Sequence, residues 1–173
     1  IVILHTNDIH CGINDNIGFA GLAQIKKDAL ARTPNVALVD AGDAIQGAPI
    51  GKLSRGLAVV DIMNYLGYDF CIPGNHEFDY GMDRFLELVP LQRAGYYCAN
   101  FVYAGNNKQV LPGYKIMQYE DTKVAFVGAS TPESLTTSTP TFFQNEKGKY
   151  IYSFCEDKTG NKLYKQLQKN VDK

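Results

Sequence analysis

Three short apolar runs, residues 1–4, 36–39 and 70–72, are each followed by groups that bind metal ions. Asp8 and His10 follow the first, Gly42-Asp43 the second, and Gly74-Asn75-His76-Glu77 the third. Apolar runs this short, without alternation, read as strands buried on both faces, the pattern of a parallel sheet covered by helices. In an open α/β sheet, ligands collect beyond the carboxyl ends of the strands, where the loops converge. The fold class is therefore α/β, and one edge of its sheet carries carboxylate, imidazole and amide groups suited to a divalent metal.

The segments between these runs have helical spacing. Phe19, Leu22, Ile25 and Ala29 form one stripe that Pro34 ends, and Val59, Ile62, Met63 and Leu66 form a second that ends at Gly67. Met82, Phe85, Leu86 and Val89 form a third, cut by Pro90 and leading to an expected strand over residues 96–99. This alternation predicts a right-handed, mostly parallel sheet. Residues 114–119 and 123–127 flank the turn-prone Glu120-Asp121-Thr122 and predict a hairpin. Residues 130–144, rich in Ser, Thr and Pro, predict a long loop of the kind that is functional or mobile. Leu163, Leu167 and Val171 mark a last helix whose wet face is Lys162, Lys165 and Lys169, a solubility feature rather than a binding one.

With 173 residues, 45% hydrophobic and 20% charged, the chain has the material for one domain with a core. A net charge of −1 leaves no electrostatic footprint for a nucleic acid polymer. No apolar stretch approaches the roughly 20 residues that span a bilayer. The first residues lie inside a strand and carry no signal-peptide pattern, so the cellular address is not legible in them. Cys11, Cys71, Cys98 and Cys155 have no zinc-knuckle spacing and form no disulfide framework; Cys71 and Cys98 read as buried strand thiols. Cys11 reads either as a soft ligand or oxidisable group at the rim of the site or as a small loop residue, and the hard donors around it favour the second.

Hydrolysis of a phosphate ester needs a nucleophile at neutral pH and positive charge against the transferring phosphoryl group, and a pair of metal ions supplies both. Asp8 and His10 can reach one metal if the loop turns both side chains inward. Asp43, after a glycine that permits close approach, is suited to bridging two metals, and Asn75 offers a neutral oxygen. His76 can then stand off the metal and protonate the leaving group, held at its other nitrogen by Asp79. Glu77 reads as a local cap or packing residue, His5 as a hydrogen-bonded structural residue in phase with Ile1 and Ile3, and Asp40 as ambiguous. D-x-H and G-D are weak signals singly, while G-N-H-E is rarer and the ordered set is specific.

Leu4-His5-Thr6-Asn7-Asp8-Ile9-His10, Asp40-Ala41-Gly42-Asp43 and Gly74-Asn75-His76-Glu77-Phe78-Asp79 resemble the 5'-nucleotidase family of calcineurin-like metallophosphoesterases. The resemblance implies an α/β/β/α sandwich with a centre of two divalent metal ions, Zn, Mn, Fe or Co. It implies Asp8 and His10 on the first metal, Asp43 bridging, Asn75 on the second, and His76 with Asp79 as the catalytic pair. Implied activity is hydrolysis of nucleoside 5'-monophosphates, with a 2',3'-cyclic nucleotide phosphodiesterase or UDP-sugar hydrolase as the alternative. The implied setting is extracellular, periplasmic or cell-surface. The family completes its metal site with downstream histidines and adds a C-terminal nucleotide-binding domain, whereas this chain has only His5, His10 and His76. The resemblance thus implies that residues 1–173 are the N-terminal part of the catalytic domain, a sandwich incomplete on its C-terminal side, weakly active or inactive without the missing half. A reading of another class is a non-catalytic metal-binding or interaction module.

Overall fold

The computed structural model of the chain describes residues 1–173. Strands β1 (Val2–Thr6), β2 (Val36–Asp40) and β3 (Phe70–Cys71) form a parallel sheet in the order β1-β2-β3. Val2 pairs with Val36 and Thr6 with Asp40, while Asp40 also pairs with Cys71, so the three carboxyl ends meet at one level. β2 is the central strand, with Val36, Ala37, Leu38 and Asp40 all buried.

Helix α1 (Gly18–Leu30) links β1 to β2 and buries Phe19, Leu22 and Ala29, but Ile25 of the same expected stripe is 40% exposed. A short helix α2 (Pro49–Ser54), absent from the apolar spacing, precedes α3 (Leu57–Leu66). Its first residue is proline, which has no N–H to lose and a preset φ, so six residues form a helix without an amphipathic repeat. α3 ends at Gly67, whose φ of 69° lets its N–H reach the Asn64 carbonyl while Tyr68 N–H reaches Met63. This Schellman closure turns Tyr68 inward toward the sheet end.

After β3 come a single 3₁₀ turn (His76–Phe78), α4 (Met82–Leu88) and a second 3₁₀ turn (Val89–Leu91). The strand expected over 96–99 is reduced to one parallel bridge, Cys71 with Tyr96, because β3 itself is two residues long and offers no further ladder. Cys98 is accordingly buried but lies outside any strand. β4 (Val102–Tyr103) pairs antiparallel with β7 (Tyr152–Ser153), and β5 (Tyr114–Tyr119) with β6 (Thr122–Val127) forms the expected hairpin. The expected loop over 130–144 holds a turn of helix α5 (Ser134–Thr137) and a 3₁₀ turn (Pro140–Phe143). Helix α6 (Asn161–Val171) closes the order, with Lys162, Lys165 and Lys169 exposed as expected.

β1 departs from the expectation of burial on both faces. It is an edge strand whose alternate residues Ile3 and His5 are exposed, like Ile1 just before it, and the His5 side chain makes no hydrogen bond, so the structural reading of His5 is overturned. An apolar run reports that a strand is apolar, and only the neighbouring layers decide which faces are covered. Behind the sheet ends lies an aromatic cluster: Phe78 packs against Phe85, Phe101, Phe143 and Phe154 at ring-centroid distances of 4.8, 5.5, 5.2 and 5.6 Å. All five are fully buried, so the residue that follows Gly74-Asn75-His76-Glu77 is the anchor of the core. No helix is long and apolar enough to cross a membrane.

Candidate metal centre

The loops after β1 and β2 remain hydrogen-bonded to each other beyond the strands. Asp8 N–H reaches the Gly42 carbonyl at 3.0 Å, His10 N–H the Asp43 carbonyl at 2.9 Å, and Cys11 N–H the Ala44 carbonyl at 2.9 Å. This zipper requires unusual backbone: Asp8, His10, Cys11 and Asp43 have φ of 53°, 47°, 59° and 58°. Left-handed conformations at non-glycine residues cost of order 1–3 kcal/mol each and concentrate at functional sites. Three of the four are residues expected to ligate metal.

Two glycines let the second and third loops touch. A Cβ on Gly42 would lie 2.5 Å from Gly74 N, and one on Gly74 would lie 2.3 Å from Asp43 Oδ1. Both distances are sterically impossible, so each position requires glycine.

His10, Asp43 and His76 come together, with one donor atom from each lying within 4.8 Å of the others. The His10 and His76 rings meet edge to face at 5.0 Å. His10 Nδ1 lies 3.1 Å from the Gln46 carbonyl, which makes that nitrogen the donor and leaves Nε2 as the one available to a ligand. Asp8 stands at the margin, Oδ1 3.8 Å from His10 Nε2, with Asn7 donating to its other oxygen. Asp43 Oδ1 accepts the His76 N–H at 2.8 Å, and its other oxygen has no protein partner. Asn75 is half-buried at the start of the 3₁₀ turn, and its side chain makes no hydrogen bond within the protein. Histidine nitrogens and oxygens left without protein partners, held on strained backbone, fit a divalent metal of the Zn, Mn, Fe or Co type.

The expected pairing of His76 with Asp79 is present: His76 Nδ1 donates to Asp79 Oδ2 at 2.7 Å. Partial burial works against the His76 imidazolium, but the Asp79 hydrogen bond and the charges of Asp79, Asp43 and Glu77 outweigh it and raise the pKa above its ordinary value. Ser138, from the long loop, donates to Asp79 Oδ1 at 3.1 Å. Asn100 ties that loop to the core, its amide donating to the Ser130 and Phe154 carbonyls at 2.8 Å each, while Ser130 Oγ donates to the Pro73 carbonyl. The loop's length was the one signal in the sequence for Ser138; nothing marked the individual residue.

The structure places three further residues. Cys11 is 1% exposed, and burial pushes its thiol up to about 11, so it is an inert packing residue rather than a rim ligand. Asp40 is a buried carboxyl beneath the site, with Thr6 Oγ1 donating to it at 2.7 Å and Gly42 N–H at 3.0 Å. Tyr68 in turn donates to Thr6 at 2.9 Å, and burial pushes Asp40 up to about 8. Glu77 is no local cap. Its Oε2 accepts N–H groups of Asp43 at 2.7 Å and Gly74 at 2.6 Å, and Oε1 accepts those of Ala44 at 2.8 Å and Ile45 at 3.3 Å. Burial raises its pKa and the donors oppose this. Since every partner is a donor, the group they match is the ionised carboxylate.

A family model described as calcineurin-like phosphoesterase matches residues 1–168. The chain belongs to the calcineurin-like phosphoesterase family. It is 30% identical over 192 residues to a snake venom 5'-nucleotidase from Naja atra, covering 100% of this chain and 34% of that protein. It is 31% identical over 157 residues to endonuclease YhcR from Bacillus subtilis, covering 83% of this chain and 12% of that one. Among solved structures, a 5'-nucleotidase precursor from Thermus thermophilus superposes with a TM-score of 0.74 at 26% identity, over 99% of this chain and 35% of that one. The chain thus spans about a third of the length of the venom enzyme and of the Thermus protein. The fold is that of a metallophosphoesterase, and the family's chemistry is hydrolytic and uses divalent metals.

Proposed function

We propose that this chain is the N-terminal part of the catalytic domain of an enzyme that hydrolyses nucleoside 5'-monophosphates to nucleoside and phosphate at a pair of divalent metal ions. The observation that carries this reading is the His76–Asp79 pair at 2.7 Å directly beside the His10 and Asp43 donors, in a family whose chemistry is phosphoester hydrolysis. Asp8 and His10 would hold the first metal, Asp43 would bridge, and Asn75 would hold the second. A bound metal pair supplies an acidified water as nucleophile and charge against the phosphate oxygens. The remaining ligands and the nucleoside-binding surface would come from a downstream half of the same enzyme.

His76 acts on the leaving group. With Nδ1–H committed to Asp79, its Nε2 is the nitrogen that can carry a proton toward the departing oxygen, and the upward shift of its pKa favours the protonated form. Asp43 Oδ1 accepts the His76 N–H, so the carboxylate that would hold the metals and the acid are tied by a direct hydrogen bond. The 5'-nucleotidase relatives support a nucleotide substrate, and the venom origin of one supports an extracellular or cell-surface setting. The YhcR likeness makes phosphodiesters the comparison that matters most, and the net charge of −1 argues against a polymer.

The test is hydrolysis by the full-length protein of AMP, a 2',3'-cyclic nucleotide, UDP-glucose and a short oligonucleotide, before and after chelation and after restoring Mn, Zn, Fe or Co. Cleavage of AMP ahead of the others, lost on chelation and regained with metal, is expected. Activity that survives exhaustive chelation would sink the metal reading, and a preference for the oligonucleotide would replace the substrate.

A further inference from the structure

Glu77 is among the largest fully buried side chains in the molecule, with 1% of its surface exposed, and it brings a carboxyl group into the core. Isolated, such a burial is costly, and it is sustained only by complete hydrogen bonding. Three of its four donors, Asp43, Ala44 and Ile45, lie 32 to 34 residues away in sequence, and only Gly74 is local. The carboxylate therefore joins the loop after β2 to the loop after β3. The bonds close a ring: Glu77 holds the Asp43 N–H, and Asp43 Oδ1 holds the N–H of His76, the residue next to Glu77. Asp43 is gripped at its backbone and at one carboxylate oxygen, leaving the other oxygen for a ligand.

We propose that Glu77 is a positioning residue that fixes the separation of the Asp43 loop and the Asn75-His76 loop, and thereby sets the affinity of the site for divalent metal. This rests on the metal-site reading given above. Only a carboxylate satisfies the geometry. Glutamine keeps the shape but offers one acceptor oxygen, and its NH₂ would face two N–H donors; aspartate, one methylene shorter, cannot span both loops. The two glycines remove the steric barrier between the loops, and Glu77 supplies the attraction that holds them together.

The experiment compares the full-length wild-type protein with E77Q and with Phe85→Leu, a core variant that removes no donor atom and no hydrogen bond of the site and serves as a control for lost stability. Mn(II) affinity is read by titration calorimetry on metal-free protein, and kcat and KM with AMP and p-nitrophenyl phosphate. In E77Q, Mn(II) affinity and kcat are expected to fall by about 10- to 100-fold, the range for groups that orient metal ligands. KM should hold, and Phe85→Leu should lose thermal stability without losing Mn(II) affinity. Wild-type affinity in folded E77Q, or an equal loss in Phe85→Leu, overturns the proposal. Because E77Q can fail to fold, amide hydrogen exchange on metal-free wild type gives an independent reading: the Asp43, Ala44 and Gly74 amides should be protected, and exchange at open-loop rates overturns the clamp. A wild type that binds Mn(II) yet hydrolyses neither ester removes the functional reading while the affinity comparison still decides Glu77; one that takes up no Mn(II) overturns both.

Discussion

His76 is set by contacts on one side of its ring. Asp79 takes the Nδ1 proton, and Ser138 occupies the other oxygen of Asp79, so the imidazole is oriented through a chain that begins in the long loop. The hydrogen bond and charge of Asp79, with the charges of Asp43 and Glu77, also raise the His76 pKa against the penalty of burial. An acid that must be protonated loses function as pH rises through its pKa, so a raised pKa extends activity toward alkaline pH. In Asp79→Asn the pKa falls, and the alkaline limb of the kcat profile is expected to move to lower pH with kcat down by about 10²-fold or more. A pH-rate series on the two proteins checks this, and an unmoved alkaline limb would remove His76 from the role of acid. Ser138→Ala should shift the same limb in the same direction by less, since it removes one neutral hydrogen bond.

The elements supply direction rather than ligands. β1, β2 and β3 end at a common level, and the bonds from Asp8, His10 and Cys11 to the β2 loop continue the pairing into the site. Close approach of the second and third loops depends on Gly42 and Gly74. Gly42 has φ of 103°, which alanine does not tolerate, and a methyl group on either glycine would strike the opposite loop. Gly42→Ala and Gly74→Ala should each lower the thermal midpoint and weaken Mn(II) binding, with about 1–3 kcal/mol of backbone strain at Gly42 alone. Gly105→Ala, where no atom lies within 4 Å of the added carbon, should change neither. Thermal melts and Mn(II) titrations on the three variants decide, and a tolerated Gly74→Ala would show that the loops can separate at no cost.

In the whole molecule, several carboxylates crowd beneath the site, and pH dependence of stability follows. Burial pushes Asp40 up to about 8 from an ordinary 3.8, with the charges of Glu77 and Asp43 adding to the effect and the Thr6 and Gly42 donors opposing it. Between those values the folded state binds a proton that the unfolded state has released, so stability falls as pH rises across the window. The contribution is complete below about 3.8 and gone once pH has passed about 8. His76, also raised, contributes with the same sign, full below its unfolded value and lost as pH rises through the folded one. Urea unfolding of metal-free protein stepped from pH 5 to pH 9 should show this decline, and Asp40→Asn should flatten it. A slope identical in wild type and variant would mean that Asp40 is ionised throughout.

Much of this was legible in residues 1–79. Apolar runs that end in Asp8-x-His10, Gly42-Asp43 and Gly74-Asn75-His76-Glu77 determine a parallel sheet and the edge where polar groups gather, because strand propensity and the position of a motif after a strand are local properties. Tertiary structure alone decided the rest. Covering layers exposed His5 and Ile3 and buried Cys11, since burial depends on what packs above a residue and not on its own chemistry. Likewise, Glu77 reaches a loop 34 residues away and Ser138 reaches Asp79 across 59, contacts that leave no periodic trace in the chain.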